Sequence, residues 1–229
     1  MLQQINKKKI YFYIFSFLFL TTLINQNLFL KLNNNFLLKN IIVKSDTIEI
    51  ENKIRLSFDY LVNINIFLIN KKLIKKKIEN LLYLENISVK KKYPSTIIIN
   101  AKKTDLIAVT FFNQKKYYVG NNGKLILSKN ISDNKKLPII FGKFEVNNFI
   151  ELKNKLEKNG LDISKIIRYY YHKNKRWDLF FRNDIVIRLP NKELINALKL
   201  FENFKKVNAI KPNTTIDLRI ENRLILKNG

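Results

Sequence analysis

Apolar residues along this chain change their spacing from segment to segment, and each spacing predicts a different element. From Ile10 to Ile24 they run with only Ser16, Thr21 and Thr22 between them, directly after Lys7, Lys8 and Lys9. Farther on, Ile50, Ile54 and Phe58 recur four apart, which puts them on one face of a helix. Asn70 is a good N-cap for a second helix in which Ile74, Ile78 and Leu81 face inward and the lysines outward. Around these helices the period drops to two. "NIIVKS" (40–45) reads as one strand, "LENISVKKKY" and "TIIINAKK" as two more, and "YPST" with Pro94 as the turn between them. The predicted order over 40–103 is therefore β-α-α-β-β.

The remainder, 104–229, is strand-rich. "LIAVTFF" and "KKYYVG" predict a hairpin about Asn113-Gln114, "NNG" a turn before "KLIL", and "LPIIFG" a buried strand. "NFIELKNKLEKNG" predicts a helix closed by Gly160. A strand, "ISKIIRYYY", leads into the hairpin "KRWDLFFRNDIVIRLPN". Beyond Pro190, Leu194, Leu198 and Phe201 share a helical face, with Glu193 expected in the first turn. "TTIDLRI" and "RLILK" predict two last strands around Glu221-Asn222. The fold class expected is α+β: an N-terminal transmembrane helix, a small β-α-α-β-β domain, then a mixed β-rich domain whose last strand leaves an open C-terminal edge.

Residues 10–30 in helical form would rise about 30 Å, enough to cross a hydrocarbon core. No small-residue cleavage site follows, the first alanine after the run being Ala101, so an uncleaved anchor is expected. The lysine triplet keeps 1–9 in the cytoplasm as a short stub and sends the rest outward through a linker at 31–39. The chain would be a single-pass protein of the bacterial cytoplasmic (inner) membrane, touching lipid through that anchor. Nucleic acid is not expected as a partner on the outer side.

The formal net charge is +25, but it is carried mostly by lysines spread along the whole chain, which reads as solvated surface. The alternative is a basic membrane-surface or polyanion binder in which Lys71, Lys72, Lys75, Lys76 and Lys77 clamp phosphates.

Catalytic chemistry is poorly provided for. There is no cysteine, one histidine (His172, expected as an exposed strand-end residue), and no glycine-rich phosphate loop among five glycines. Asp46, Glu49 and Glu51 fall where a helix N-terminus favours acids. Tyr169, Tyr170, Tyr171 and Trp177 could stack bases, but alternation places Trp177, Leu179 and Phe181 against a neighbouring helix. No enzyme activity, metal or cofactor is expected.

The β-α-α-β-β layout is that of a POTRA domain. Together with "NIFLIN", "LENISVKKKYPSTIIINAKKTDLIAV", "YVGNNGKLI", "LPIIFG", "RWDLFFRNDIVIRLP" and "TTIDLRIENRLIL" in that order, the chain resembles the FtsQ/DivIB family of bacterial cell-division proteins. The resemblance implies a non-enzymatic scaffold at the division septum that binds FtsB and FtsL type division proteins and other divisome membrane proteins. It also implies where they would be held: at Arg219, Ile220, Leu224, Ile225 and Leu226 on the last strands, with Arg176 on the adjacent hairpin.

Overall fold

The computed structural model describes residues 7–22, 35–130 and 136–228. Helix α1 (Lys7–Thr22) takes in the lysines and most of the apolar run. Its 16 residues rise about 24 Å. Among the described residues no helix is long and apolar enough to cross a membrane. The rest of the expected anchor, 23–30, lies outside the described residues, as do 31–34 of the linker.

Past α1 the chain forms two compact units, one from residues up to 78 with 86–102, the other from 79–85 with 103 onward. In the first, β1 (Asn40–Lys44), β2 (Leu84–Lys92) and β3 (Thr96–Lys103) form a three-stranded sheet in the order β1-β3-β2. Strand β1 lies parallel to β3, Asn40 opposite Thr96 and Lys44 opposite Asn100. A parallel pair needs a crossover, and α2 (Ile48–Phe58) and α3 (Lys71–Glu79) supply it. Thr47 caps α2, its side chain accepting from the Ile50 N–H at 3.4 Å. Glu51 in the first turn reaches back to accept from the Ser45 N–H at 3.0 Å. Ile50, Ile54 and Phe58 are buried as their spacing requires. Asn70 starts α3 by accepting from the Lys72 N–H at 2.9 Å. Ile74 and Ile78 are buried in it. The helix stops at Glu79, so the expected inward role of Leu81 is corrected: it lies past the helix and is only half-buried.

The second unit is built on a nine-stranded sheet. Its strands are β4 (Leu106–Phe112), β5 (Lys115–Gly120), β6 (Leu125–Leu127), β7 (Ile139–Phe141), β8 (Ile166–Tyr171), β9 (Trp177–Phe181), β10 (Val186–Arg188), β11 (Thr214–Asp217) and β12 (Ile225–Asn228). They stand in the order β12-β11-β10-β9-β8-β7-β4-β5-β6. Strands β7 and β8 are parallel, as are β10 and β11, joined by α4 (Val146–Lys158) and α5 (Leu194–Val207). The antiparallel pairs β8–β9 and β9–β10 give β10 the direction of β8. Both crossovers also step toward β12. Crossovers of one hand then put both helices on one face of the sheet. Phe149, Leu152 and Leu156 of α4 and Leu198 and Phe201 of α5 accordingly share one core with Ala108, Ile140, Tyr169, Leu179, Ile187 and Ile216.

The hairpin containing Trp177 is a rib of this sheet. Trp177 is buried among Phe149, Tyr169 and Tyr171, ring centroids 5.8, 6.4 and 4.6 Å away. Tyr170, of opposite pleat, is exposed. Helix α5 begins later than its pattern suggests: Glu193 is its N-cap, in a left-handed conformation, rather than a first-turn residue. The strand expected over 214–220 ends at Asp217, because Ile220 and Arg223 close a turn with Asn222 at positive φ. Asparagine tolerates that conformation better than most residues.

Candidate partner-docking edge

Strand β12 is the last strand of the sheet on its side and pairs only with β11, antiparallel, with Ile216 opposite Leu226 and Asp217 opposite Ile225. The register carries two rows of side chains across the sheet to this margin. On the helix face, Ile140, Tyr169, Leu179, Ile187 and Ile216 lie side by side and end on Leu226. All but the last are at most 1% exposed; Leu226 is 46% exposed. The core row thus runs out into solvent at the sheet's edge. Leu224, on the same pleat, is half-buried against that core.

On the opposite face, Phe141, Tyr170, Asp178, Arg188, Asp217 and Ile225 lie side by side. The middle of this row is ionic. Asp178 Oδ2 accepts from His172 Nε2 at 2.9 Å, and its other oxygen, Oδ1, stands 3.9 Å from Arg176 Nε. Neither Oδ1 of Asp178 nor Nε of Arg176 has a hydrogen-bond partner, although both atoms are buried. Two strands along, Arg219 Nε donates to Asp217 Oδ1 at 2.7 Å and Oδ2 at 2.9 Å, and Nη2 also contacts Oδ2. Hydrogen bonding from Arg219 holds the Asp217 carboxyl below the usual aspartate range against the opposing pull of desolvation, with help from the Arg188 charge. Arg219 is raised in turn, chiefly by the bond to Asp217, with a smaller contribution from the Asp178 charge. Three arginines therefore share two carboxylates on this face.

Of the residues expected to hold a partner, Arg176 and Arg219 fall in this ionic network. Ile220 is exposed in the turn before β12, and Ile225 and Leu226 are exposed on opposite faces of the edge strand. A cavity of about 200 Å3 opens beside the turn, lined by Arg219, Ile220, Asn222, Glu193 and Asn196. A shallower depression of about 530 Å3 lies beside Tyr170, His172, Lys173 and Arg176.

Four members of the network, His172, Asp178, Arg188 and Asp217, were not expected at the site. The signal for Asp178 was a carboxylate placed between Trp177 and Leu179, whose neighbours on the alternate pleat face the helices. The expectation that His172 is an exposed strand-end residue is corrected: its side chain is 27% exposed and bonded to Asp178. Among the described residues no group of three or more histidines or carboxylates could hold a metal ion. A further cavity, about 570 Å3, is lined by apolar side chains with Lys136, Lys153, Arg182 and the phenol of Tyr169. Burial, reinforced by the Glu157 charge, pushes that phenol up, so it stays neutral.

Two family models match the chain: the FtsQ-type POTRA domain over 36–102, and the C-terminal domain of the cell division protein FtsQ/DivIB over 109–219. Curated relatives include the cell division protein FtsQ of Rickettsia bellii, 28% identical over 71% of this chain and 61% of that one. That of Rhizobium meliloti is 22% identical over 65% and 49%. The chain thus spans about half to three fifths of the length of these relatives. A solved structure of the major extracytoplasmic domain of the trans isomer of DivIB from Geobacillus stearothermophilus aligns at 13% identity over 42% of this chain and 86% of that one, with TM-score 0.31.

Proposed function

Because the chain belongs to the FtsQ/DivIB family, a non-enzymatic family of bacterial cell-division proteins, we propose that it is a membrane-anchored scaffold that holds partner division proteins by adding a strand at β12. The anchor is the apolar run at 10–30. It leaves the N-terminus in the cytoplasm and both folded units outside the membrane, at the septum. The partners are FtsB and FtsL type proteins, and the segment they contribute pairs with β12 through main-chain bonds.

The observation that carries this reading is the row of buried side chains that ends on exposed Leu226. An incoming strand gains main-chain bonds from the unpaired margin of β12, and an apolar side chain set opposite Leu226 extends the core. The surplus positive charge of the network, with Arg219 nearest the turn into β12, favours a carboxylate on the partner. Natural edges are commonly blocked by charge, proline or a bulge. Strand β12, though short and carrying Lys227, still presents Ile225 and Leu226 exposed along its margin.

Amide hydrogen exchange tests the mode of binding. On addition of an FtsB-type extracytoplasmic segment to the full chain, the outward-facing amides within 225–228 are expected to gain protection. Those of β6, at the other margin of the sheet, should not change. Protection confined to other elements would rule out strand addition at this edge.

A further inference from the structure

One end of the first unit carries an aromatic stack unrelated to the partner edge. Phe36, Phe67 and Tyr93 come from three separate segments, yet their rings lie 5.0 Å (Phe36 to Phe67) and 5.1 Å (Phe67 to Tyr93) apart. The backbone holds them there. The Ile66 N–H donates to the Phe36 carbonyl at 2.8 Å, and Lys91 Nζ donates to the Phe67 carbonyl at 3.4 Å. Such a stack would ordinarily be core, but Phe67 is 57% exposed, Tyr93 54% and the neighbouring Leu68 79%. Lys91 is held at the stack by its bond to Phe67, and Lys71 follows Leu68 by three residues; desolvation and, after it, the charge of Lys71 lower the Lys91 ammonium's pKa. Neither has a carboxylate partner among the described residues. Exposed aromatic rings, a bare leucine and uncompensated lysines on one surface are the side chains found where proteins meet a membrane interface: rings at headgroup level, ammonium groups on phosphates.

The chain's own connectivity brings this end to a membrane. Phe36 follows the expected span, which ends at residue 30, by a tether of residues 31–35 that extends to at most about 18 Å. The headgroup zone outside the hydrocarbon is itself about 5–8 Å deep. An anchored chain therefore keeps Phe36 within a short distance of lipid headgroups. The alternative occupant, a protein partner, has nothing comparable to hold it at this surface.

We infer that the patch formed by Phe36, Phe67, Leu68 and Tyr93 with Lys71 and Lys91 docks on the anionic lipid surface next to the anchor, fixing the orientation of the first unit on the membrane. The inference rests on the anchored reading for its tether, and two labels keep the fates of the two readings apart. The chain has no cysteine, so a single introduced one can be spin-labelled uniquely. Full chains carrying Leu68→Cys, Phe12→Cys or, as control, the exposed Leu56→Cys are mixed with vesicles of phosphatidylcholine with phosphatidylglycerol, or of phosphatidylcholine alone. Collisions of each label with lipid-soluble oxygen and with an aqueous nickel complex are then compared. In phosphatidylglycerol vesicles the oxygen-to-nickel ratio at Leu68→Cys is expected to be severalfold above that at Leu56→Cys. Reversing Lys71→Glu and Lys91→Glu together should return it to the control value. A water-side reading at Leu68→Cys while Phe12→Cys reads hydrocarbon would overturn the docking and leave the anchor standing. A lipid-side reading equal in both vesicle types and indifferent to the charge reversal would also overturn it. A water-side reading at Phe12→Cys would count against the anchor alone, and Leu68→Cys would still decide the docking.

Discussion

Asp217 and Arg219 determine how acid acts on the candidate edge. The Asp217 carboxyl has its pKa lowered, first by hydrogen bonding from Arg219, so its contribution to stability is present above the ordinary aspartate value of about 3.9. That contribution is lost as pH falls through the lower folded value. The pair is partly exposed, at 34% for Arg219 and 17% for Asp217, which keeps the effect small. Arg219→Ala is expected to cost about 0.5–1 kcal/mol at neutral pH. It should cost nothing once Asp217 is protonated in both folded and unfolded chains. Urea unfolding of the two proteins at neutral and strongly acid pH checks this; an equal deficit at both would mean Arg219 acts by packing instead. The family resemblance points to Arg219 as an expected docking residue, but gives no sign of its ionic partner. The Asp217 pairing needs the chain to keep its alternation past the end of β11, and the approach of Asp178 depends on β10 lying between two strands far apart in sequence.

At the scale of elements, α4 anchors the sheet through Phe149, which is 1% exposed and sits with Tyr169 and Trp177. Phe149→Ala is expected to cost about 3–5 kcal/mol. Trp177, the only tryptophan, belongs to the second unit and its fluorescence reports that unit's unfolding alone. Circular dichroism sees both units, so the early transition in the variant should coincide with the fluorescence change, while the first unit unfolds as in the parent chain. A loss well below this range would mean that the neighbouring rings close the gap. Helical periodicity made α2, α3 and α4 legible to within a turn, and period two found the strands. Ends were less legible where a local turn competes: Glu193 caps α5 because the chain reverses after Pro190, and β11 stops at Asp217 because Asn222 turns back. Strand order was legible only within the hairpins, such as β4 with β5 and β9 with β10. The parallel neighbours β4 and β7, like β10 and β11, come together across intervening elements, and nothing in the local spacing records which strands meet.

For the molecule as a whole, a +25 chain and a neutral-looking sheet margin make opposite claims about what binds. A polyanion held by the lysines of α3 would be released steeply by salt, because affinity would come from counterions set free. A strand zipped along β12 draws on main-chain bonds and apolar contact, and salt weakens only the contribution of the arginine network. The family and its non-enzymatic character were legible from ordered motifs that single residues do not carry. The edge itself was legible only because β12 comes last in the chain; that it is also outermost in the sheet follows from both crossovers stepping the same way. Ile216 and Leu218 are buried in the core, so a truncation meant to remove the edge must end beyond them, for instance after Glu221. A single substitution is cleaner. The most direct measurement is the affinity of the full chain for an FtsB-type segment before and after Ile225→Pro, with circular dichroism confirming that both units stay folded. Docking at β12 requires that binding be lost with the fold intact; binding retained at the parent affinity would contradict it.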